Sequence, residues 1–325
     1  MVSNKNQWQP LRPGDTVDIV APGFACLPEA LQGALEILAK WGLEPRVSRE
    51  IFPKKKSQLD ILCSNTDEIR LSQLKEALRA EDSRAVWCLR GGYGSLRLIP
   101  ELVRMKRPHG PPKLFIGLSD ISTLHVYLNQ AWKWPTVHGP LLDRLGQGLV
   151  KPKYLRELKD IVMGTSREIT FERLKPLNEA ARRAAVVRGP VSGGNLVTLQ
   201  SSLGTKAEWV TDGQILFFEE IGERGYKVDR ILEHFRQIGK FSRARAIVLG
   251  DFTGGLEADG KSRVPAVLKR FAEGLEIPVV AGLQSGHAVI QRPVPFYTPA
   301  ELRTTLSGFA TLKCETGSSA GDRHS

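Results

Sequence analysis

The sequence lacks the features that would assign it to a membrane or secreted class of protein. None of its apolar runs approaches the roughly 20 residues that a membrane-spanning helix needs. The N-terminal stretch, 1–13, is polar and has no apolar core of the kind that signal peptides carry. We therefore expect a cytoplasmic protein that has no membrane partner.

Cysteine is scarce and scattered. The chain has four cysteines, none of them in a C-x-x-C pair, and it has no H-E-x-x-H motif. A disulfide framework and a metal site are both poorly supported by this pattern, and free or buried thiols are the simpler interpretation. We expect neither a metal nor another cofactor.

Acidic residues are outnumbered by basic ones, 35 to 46, which gives a net charge of +11. Such an excess can attract nucleic acid. The basic residues are dispersed, however, with tight clusters at 54–56, 106–107 and 182–183, and no nucleic-acid motif or interleaved aromatic residues accompany these clusters. We interpret the charge as solvated surface without a nucleic-acid partner, and we keep a nucleotide- or nucleic-acid-binding protein as the competing hypothesis.

Apolar strand patterns alternate with amphipathic helical patterns along the first half of the chain. The stretches 17–21, 85–89 and 114–118 read as strands, and each is followed by a helical pattern. This alternation predicts an α/β fold with a parallel, doubly wound sheet. Ligands bind such sheets at the carboxyl ends of the strands.

The length of 325 residues suggests two domains. We predict an N-terminal domain over 1–150, a linker with one helix over 151–184 and a second α/β domain over 185–313. The polar segment 314–325, rich in glycine and serine, is expected to be a disordered tail.

The hexapeptide 115–120 reads as the end of a strand, a sharp turn and the start of a helix. A serine at such a turn, here Ser119, has its hydroxyl exposed at the sheet edge, as in a nucleophile elbow. The usual G-x-S-x-G pattern lacks its second glycine here, because Ile121 stands in that place. The alternative is a helix N-cap, which either Ser119 or Asp120 would fill equally well.

Three side chains of the types that acyl transfer requires each follow an apolar strand: Ser119, Glu219 and His287. Such chemistry needs a nucleophile, an imidazole that takes its proton and a carboxylate that orients the imidazole. The order along the chain matches that of α/β-hydrolases.

Two of these three have rivals. Glu220 offers the same carboxylate as Glu219, and because side chains alternate across a strand only one of the two can face the site. We favour Glu219, since Glu220 can cap the turn at Gly222. His138 also sits at a strand end; we favour His287 because it lies in an open loop after Ser-Gly.

The glycine-rich loop 91–94 has two interpretations. It could cradle a phosphate, although it lacks the Lys-Ser/Thr of a P-loop and the G-x-G-x-x-G spacing. Alternatively, its backbone N–H groups and that of Asp120 could form an oxyanion hole, since glycine lets the backbone approach a tetrahedral intermediate closely.

With these stretches assembled, the chain resembles the LD-carboxypeptidase family of serine peptidases, which includes murein tetrapeptide carboxypeptidases and microcin C self-immunity peptidases. R-G-G-Y-G-S followed by G-x-S-D is the most specific part of the resemblance. The matching stretches are 14–22, 88–95, 117–120, 138–140, 193–196, 217–220, 226–230 and 286–287.

The resemblance implies a Rossmann-like N-terminal domain, a smaller C-terminal α/β domain and an active site in the cleft between them. It implies a Ser119–Glu219–His287 triad, an oxyanion hole near Gly91 and Asp120, no metal and a homodimer. The implied activity releases the terminal D-alanine of a murein tetrapeptide in cell-wall recycling. A self-immunity peptidase that cleaves an antibiotic peptide is the alternative.

We also assign substrate binding to the loop around Gly92 and Tyr93, and to Arg90. Arg90 would pair with the terminal carboxylate of the substrate through its two-pronged guanidinium group. A structural ion pair is the alternative role for Arg90.

Overall fold

The structure is a computed structural model that describes residues 7–52, 62–306 and 308–317. The basic cluster at 54–56 lies outside these ranges. The strands are β1 (Thr16–Val20), β2 (Glu44–Val47), β3 (Ser83–Cys88), β4 (Leu114–Gly117), β5 (Thr136–His138), β6 (Glu168–Pro176), β7 (Ala185–Arg188), β8 (Val191–Asn195), β9 (Ile215–Ile221), β10 (Ala246–Thr253), β11 (Val279–Ala281), β12 (Val294–Phe296), β13 (Ala300–Thr304) and β14 (Ala310–Glu315). The α-helices are α1 (Pro28–Lys40), α2 (Asp67–Arg79), α3 (Ser95–Leu102), α4 (Ser122–Ala131), α5 (Leu142–Gly146), α6 (Pro152–Val162), α7 (Leu196–Gln200), α8 (Gly225–Gln237) and α9 (Val264–Glu273).

Local sequence signals set several of these boundaries. The hydroxyl of Thr66 accepts a hydrogen bond from the N–H of Ile69 and so caps α2. Pro28 stands at the first position of α1, where its missing N–H costs nothing, and Gly42 follows the helix with a φ of +81°. These signals are short-range, so they can be recognised in the sequence alone.

The first sheet joins six strands in the described part of the chain, in the order β12-β5-β4-β3-β1-β2. Its five N-terminal strands run parallel, and β12 pairs antiparallel with β5. The carboxyl ends of β3 and β4 therefore lie side by side, and the polar turns that follow them share one edge of the sheet.

The second sheet joins eight strands among the described residues, in the order β7-β13-β14-β6-β11-β10-β9-β8. The four strands β8 to β11 run parallel to one another, whereas β6 pairs antiparallel with β11 and the pairs from β6 to β7 are all antiparallel. The α/β class and the parallel N-terminal sheet predicted from the sequence are confirmed. The predicted smaller domain nevertheless carries the sheet with more strands.

The predicted linker over 151–184 is wrong, because β6 lies within the second sheet and pairs with β14 and β11. Strand β6 was not recognised in the sequence because its exposed face is charged. Only Ile169, Phe171 and Leu174 bury their side chains, and the alternation is interrupted near Arg173, whose φ is +58°.

The predicted start of the tail at 314 is also wrong, since β14 continues to residue 315 and the hydroxyl of Thr316 donates to the carbonyl of Ser166. Residues 318–325 lie outside the described ranges.

The sequence analysis did not predict strand β12. It belongs by sequence to the C-terminal half but pairs with β5 of the first sheet, so the two halves are interleaved.

Contacts between the halves bring the turn after β4 against the end of β8. The hydroxyl of Ser122, at the start of α4, accepts a hydrogen bond of 2.9 Å from the backbone N–H of Asn195. A Cβ at Gly194 would lie 2.2 Å from the same hydroxyl oxygen, so only glycine permits this approach.

No helix in the described ranges is both long and apolar enough to cross a bilayer.

Candidate active site

Ser119 begins a 3₁₀ turn, Ser119–Ile121, that follows β4 directly, and its φ is +70°. A positive φ is strained for a residue with a side chain, and such strain is typical of functional turns. The turn folds back tightly: a Cβ at Gly117 would lie 2.4 Å from the Ile121 side chain. The strand–turn–helix arrangement expected of a nucleophile elbow is therefore present without the second glycine.

The alternative role of a helix cap is not what the structure shows. Neither Ser119 nor Asp120 makes a side-chain cap to α4. Asp120 is buried, and its carboxylate instead accepts a 2.8 Å hydrogen bond from the N–H of Ser95, at the end of the glycine loop. Burial raises the pKa of Asp120, and the hydrogen bonds to Ser95 oppose the rise. Asp120 thus holds the glycine loop against the Ser119 turn.

Glycine is required where the loop meets the serine. A Cβ at Gly91 would lie 2.7 Å from the Cβ of Ser119 and 3.2 Å from its Oγ. On the other side of the loop, a Cβ at Gly23 would lie 2.3 Å from the carbonyl oxygen of Gly91. The backbone around Gly91 is therefore packed between two other turns, and its position relative to Ser119 is fixed.

A buried arginine that the sequence analysis did not single out supports the same loop. Arg70, on α2, is 1 % exposed and donates to the carbonyls of Pro22, Asn65 and Gly94. Its charge is balanced by Asp67. The turn after β1 and the glycine loop after β3 are thus joined through one guanidinium group, which holds the first-domain side of the site together.

On the second-domain side, Glu219 and His287 form a hydrogen-bonded pair. The Nδ1 atom of His287 lies 2.6 Å from Oε2 of Glu219; the carboxylate side chain is 0 % exposed and the imidazole 16 %. Burial by itself lowers the pKa of His287, but the hydrogen bond and charge of Glu219 outweigh it, so the pKa lies above its ordinary value. The structure brings these two sequence-predicted residues together.

Glu220 points to the other side of β9. Its two carboxylate oxygens accept hydrogen bonds from the amide of Asn195 and the N–H groups of Val197 and Ile221. Burial raises its pKa to about 7 despite these bonds. Glu220 therefore supports the start of α7, and the predicted cap at the Gly222 turn is wrong.

The loop that carries His287 packs closely against Asp251 and Glu219. A Cβ at Gly286, whose φ is +136°, would lie 3.0 Å from Cβ of Asp251 and 3.1 Å from Cβ of Glu219. The backbone N–H of Asp251 donates to the carbonyl of Ser285 at 2.9 Å. Asp251, which the sequence analysis missed, lies where the β9–β10 register shifts, and a bulge at that point turns its side chain toward the loop.

The pKa of Asp251 is raised by its position in the site. Burial first, and then the negative charge of Glu219, raise the pKa of Asp251 to about 6. A group with this pKa changes charge close to neutrality, next to the Glu219–His287 pair.

The rival histidine, His138, is a core residue. It is 0 % exposed, and its ring packs against Phe217 and Phe296 at centroid distances of 5.1 and 5.4 Å. Burial, together with the charges of His125 and His287, holds its pKa well below the ordinary range. It is therefore a neutral packing residue beneath the site.

The serine turn and the Glu219–His287 pair are linked through contacts at the junction of the two sheets. Gly117 at the end of β4 pairs with His138, whose ring contacts Phe217 two residues before Glu219. From the other direction, Asn195, which is bound to the Ser119–α4 turn through Ser122, pairs with Glu219 across β8 and β9. Each route passes through two contacts.

The residues assigned to substrate binding lie on the glycine loop. Arg90 donates to the carbonyl of Ala25 at 3.0 Å, and its Nε lies 3.6 Å from Asp143, so the structural ion pair is present. Gly92 has a φ of +98°, and a Cβ there would overlap the ring of Phe24. Tyr93 is 46 % exposed, which leaves its ring open to a ligand.

A second arginine, Arg144 on α5, was missed because it lies outside the motifs. Its side chain is half-buried, and its Nε has no hydrogen-bond partner within the described part of the chain. The positive charge of Arg144 lowers the pKa of both Asp143 and His287.

A metal site is not evident in the part of the chain that the structure describes. Among residues 7–52, 62–306 and 308–317, no three His, Cys, Asp or Glu side chains are grouped so that they could hold a metal ion.

Comparison with known families agrees with this geometry. Residues 17–139 match the LD-carboxypeptidase N-terminal domain, and residues 188–302 match the LD-carboxypeptidase C-terminal domain. The first match contains the glycine loop and Ser119; the second contains Glu219 and His287.

Individual relatives span nearly the whole chain. A probable murein peptide carboxypeptidase of Bacillus subtilis is 33 % identical and covers 96 % of this chain and 95 % of its own length. The murein tetrapeptide carboxypeptidase of Pseudomonas aeruginosa is 29 % identical, over 92 % and 96 %. The crystal structure of muramoyltetrapeptide carboxypeptidase from Oxalobacter formigenes superposes with a TM-score of 0.77 at 26 % identity, over 93 % and 99 %. The chain therefore belongs to the LD-carboxypeptidase family of hydrolases.

Proposed function

We propose that the protein is a serine carboxypeptidase that releases the terminal D-alanine from murein tetrapeptide. The observation that carries the proposal is the buried 2.6 Å hydrogen bond between His287 and Glu219 at the sheet junction that also holds Ser119. The names of the Bacillus, Pseudomonas and Oxalobacter relatives support a murein peptide as the substrate.

In the proposed reaction, the Oγ of Ser119 attacks the carbonyl carbon of the bond to D-alanine while His287 takes the hydroxyl proton at Nε2. Glu219 keeps the proton of His287 on Nδ1 and stabilises the imidazolium that forms. The imidazolium then gives its proton to the leaving amine, and the C–N bond breaks. D-alanine leaves, and the tripeptide remains as an ester on Ser119.

Hydrolysis of the ester reverses these roles. Water gives a proton to His287 and attacks the ester carbonyl, and the imidazolium returns the proton to the Oγ of Ser119 as the tripeptide leaves. In both halves the negative oxygen of the tetrahedral intermediate would be held by the backbone N–H groups of Gly91 and Asp120. Close packing of Gly91 on Ser119 supports this assignment.

The loop residues Arg90, Gly92 and Tyr93 complete the proposal as the wall of the substrate site, with Tyr93 the exposed surface. The cytoplasmic location expected from the sequence, and the homodimer implied by the family resemblance, belong to the same proposal.

The proposal is tested by incubating the protein with murein tetrapeptide and following tripeptide and free D-alanine by mass spectrometry. The matched control is the same tetrapeptide ending in L-alanine, which should be cut far more slowly. A third sample contains an aminoacyl-sulfamoyl nucleotide. Release of the amino acid from that compound, with the tetrapeptide left intact, would favour the self-immunity alternative and contradict the proposed substrate.

A further inference from the structure

A carboxypeptidase must recognise a free carboxylate one residue beyond the bond that it cuts. If the proposed function holds, the terminal D-alanine presents this carboxylate close to Ser119. An arginine is the side chain best suited to it, because its planar guanidinium group donates two parallel hydrogen bonds to the two oxygens. The arginines near the site are therefore the side chains to compare.

Two of the arginines on the first-domain side are already engaged by the protein. Arg70 is fully buried and donates to three carbonyls and to Asp67. Arg97 donates to both oxygens of Asp67. Arg90 gives one donor to Ala25 and approaches Asp143, so part of its hydrogen-bonding capacity is used.

Arg144 differs from these three. Within the ranges that the structure describes, its guanidinium group makes no ion pair and no hydrogen bond, and its Nε–H is buried without an acceptor. A buried charged donor without a partner is costly, and native proteins rarely keep one without a reason. A bound anion would supply the missing acceptor.

The helix that carries Arg144 is rigidly placed beside the site. Helix α5 follows β5, the neighbour of β4 and of the Ser119 turn. The N–H of Asp143 donates to the carbonyl of Leu89, just before the glycine loop, at 2.9 Å. At its other end, α5 packs backbone to backbone on α1, since a Cβ at Gly146 would lie 1.7 Å from the carbonyl oxygen of Ala30. Such a support holds a binding group in position.

We propose that Arg144 binds the terminal carboxylate of the substrate and thereby restricts the enzyme to the last residue of a peptide. The charge of Arg144 reaches the imidazole, because it lowers the pKa of His287. The guanidinium group therefore lies within electrostatic reach of the imidazole that would protonate the leaving amine, and a carboxylate on the leaving residue would lie close to that amine. Arg90 then acts by holding Asp143 in place beside it.

The test compares two substrates, murein tetrapeptide with a free terminal carboxylate and the same peptide with a terminal amide. The wild-type enzyme should prefer the acid. In Arg144→Gln, the preference in kcat/KM should fall by about 10- to 100-fold, the worth of a hydrogen-bonded charge pair. Arg144→Lys keeps the charge without the planar fork and should lose part of the preference. Arg156→Gln, an exposed site on α6, is the matched control and should keep it.

The outcomes separate this inference from the proposed function. No release of D-alanine by the wild-type enzyme would overturn the proposed function, and the inference with it. An active Arg144→Gln enzyme that keeps the full preference for the acid would overturn the inference alone. Loss of the preference in Arg90→Gln, with its retention in Arg144→Gln, would assign the carboxylate to Arg90 instead. Circular dichroism and Tm show whether each variant is folded.

Discussion

The imidazole of His287 and the carboxylate of Glu219 face each other across 2.6 Å, and the carboxylate has no exposed surface. A carboxylate in this setting favours a proton on Nδ1 and leaves Nε2 of the ring to exchange protons. The next residue on the same strand is Glu220, and its carboxylate accepts hydrogen bonds from backbone N–H groups and a side-chain amide only. The two neighbouring glutamates therefore have different roles.

Glu219→Gln and Glu220→Gln should have opposite effects on rate and stability. Glu219→Gln no longer stabilises the imidazolium and should lower kcat by up to about 10⁴-fold. Glu220→Gln places an NH₂ group where the carboxylate accepts N–H groups, and should lower the free energy of unfolding by about 1–3 kcal/mol with little effect on kcat. Kinetics and urea unfolding of both variants measure this. A larger loss of rate in Glu220→Gln would reverse the assignment.

The pH dependence of kcat/KM should report the protonation of His287. Only the neutral imidazole takes the serine proton, so activity should fall as the pH drops through the pKa of His287, which Glu219 holds above its ordinary value. In Glu219→Gln the lowering effect of burial remains without this compensation, so the pKa should fall below the ordinary value. Titration of the imidazole signals by nuclear magnetic resonance measures both. An unchanged or higher pKa in Glu219→Gln would be inconsistent with the pair.

Strain at Ser119 should be visible in the stability of inactive variants. Ser119→Ala and Ser119→Gly both remove the hydroxyl, but only glycine adopts a φ of +70° without strain. Ser119→Gly should therefore be the more stable of the two by about 1 kcal/mol, since a left-handed conformation costs a residue with a Cβ about that much. Thermal and urea unfolding compare them. Equal stability, or a more stable alanine variant, would show that the turn is not strained.

Gly91→Ala should damage the site without any change of charge. The new Cβ would lie 2.7 Å from Cβ of Ser119, so the loop or the serine turn must move. A displacement of this order can cost about 10²-fold in rate. Gly274→Ala is the control, because its nearest neighbour there is 3.5 Å away and its φ is −82°. A fully active Gly91→Ala enzyme would remove Gly91 from the proposed oxyanion hole.

The sequence was most informative where structure is local. The strand-to-turn transition after β4 placed Ser119, and the period-2 alternation along β9 separated Glu219 from Glu220. The elbow was recognisable although its second glycine is missing, because the apolar strand, the polar turn and the helical pattern follow one another within a few residues.

What the sequence did not predict depends on long-range packing. Strand β12 pairs with β5, more than 150 residues away, and nothing in its three residues indicates this partner. Charged residues on the exposed face of β6 made this segment resemble a linker in the sequence. Asp251 and Arg144 belong to no motif, and their closeness to His287 follows only from how the sheets and α5 are assembled.

Ser119 is the proposed nucleophile in the release of D-alanine, and the most direct test is the rate of D-alanine release from murein tetrapeptide by wild-type and Ser119→Ala enzymes at equal concentration. We predict steady release by the wild type, and a rate lower by about 10⁶-fold, the loss seen when such a nucleophile is removed, in a folded Ser119→Ala protein. Release by Ser119→Ala at more than a few per cent of the wild-type rate would contradict the account.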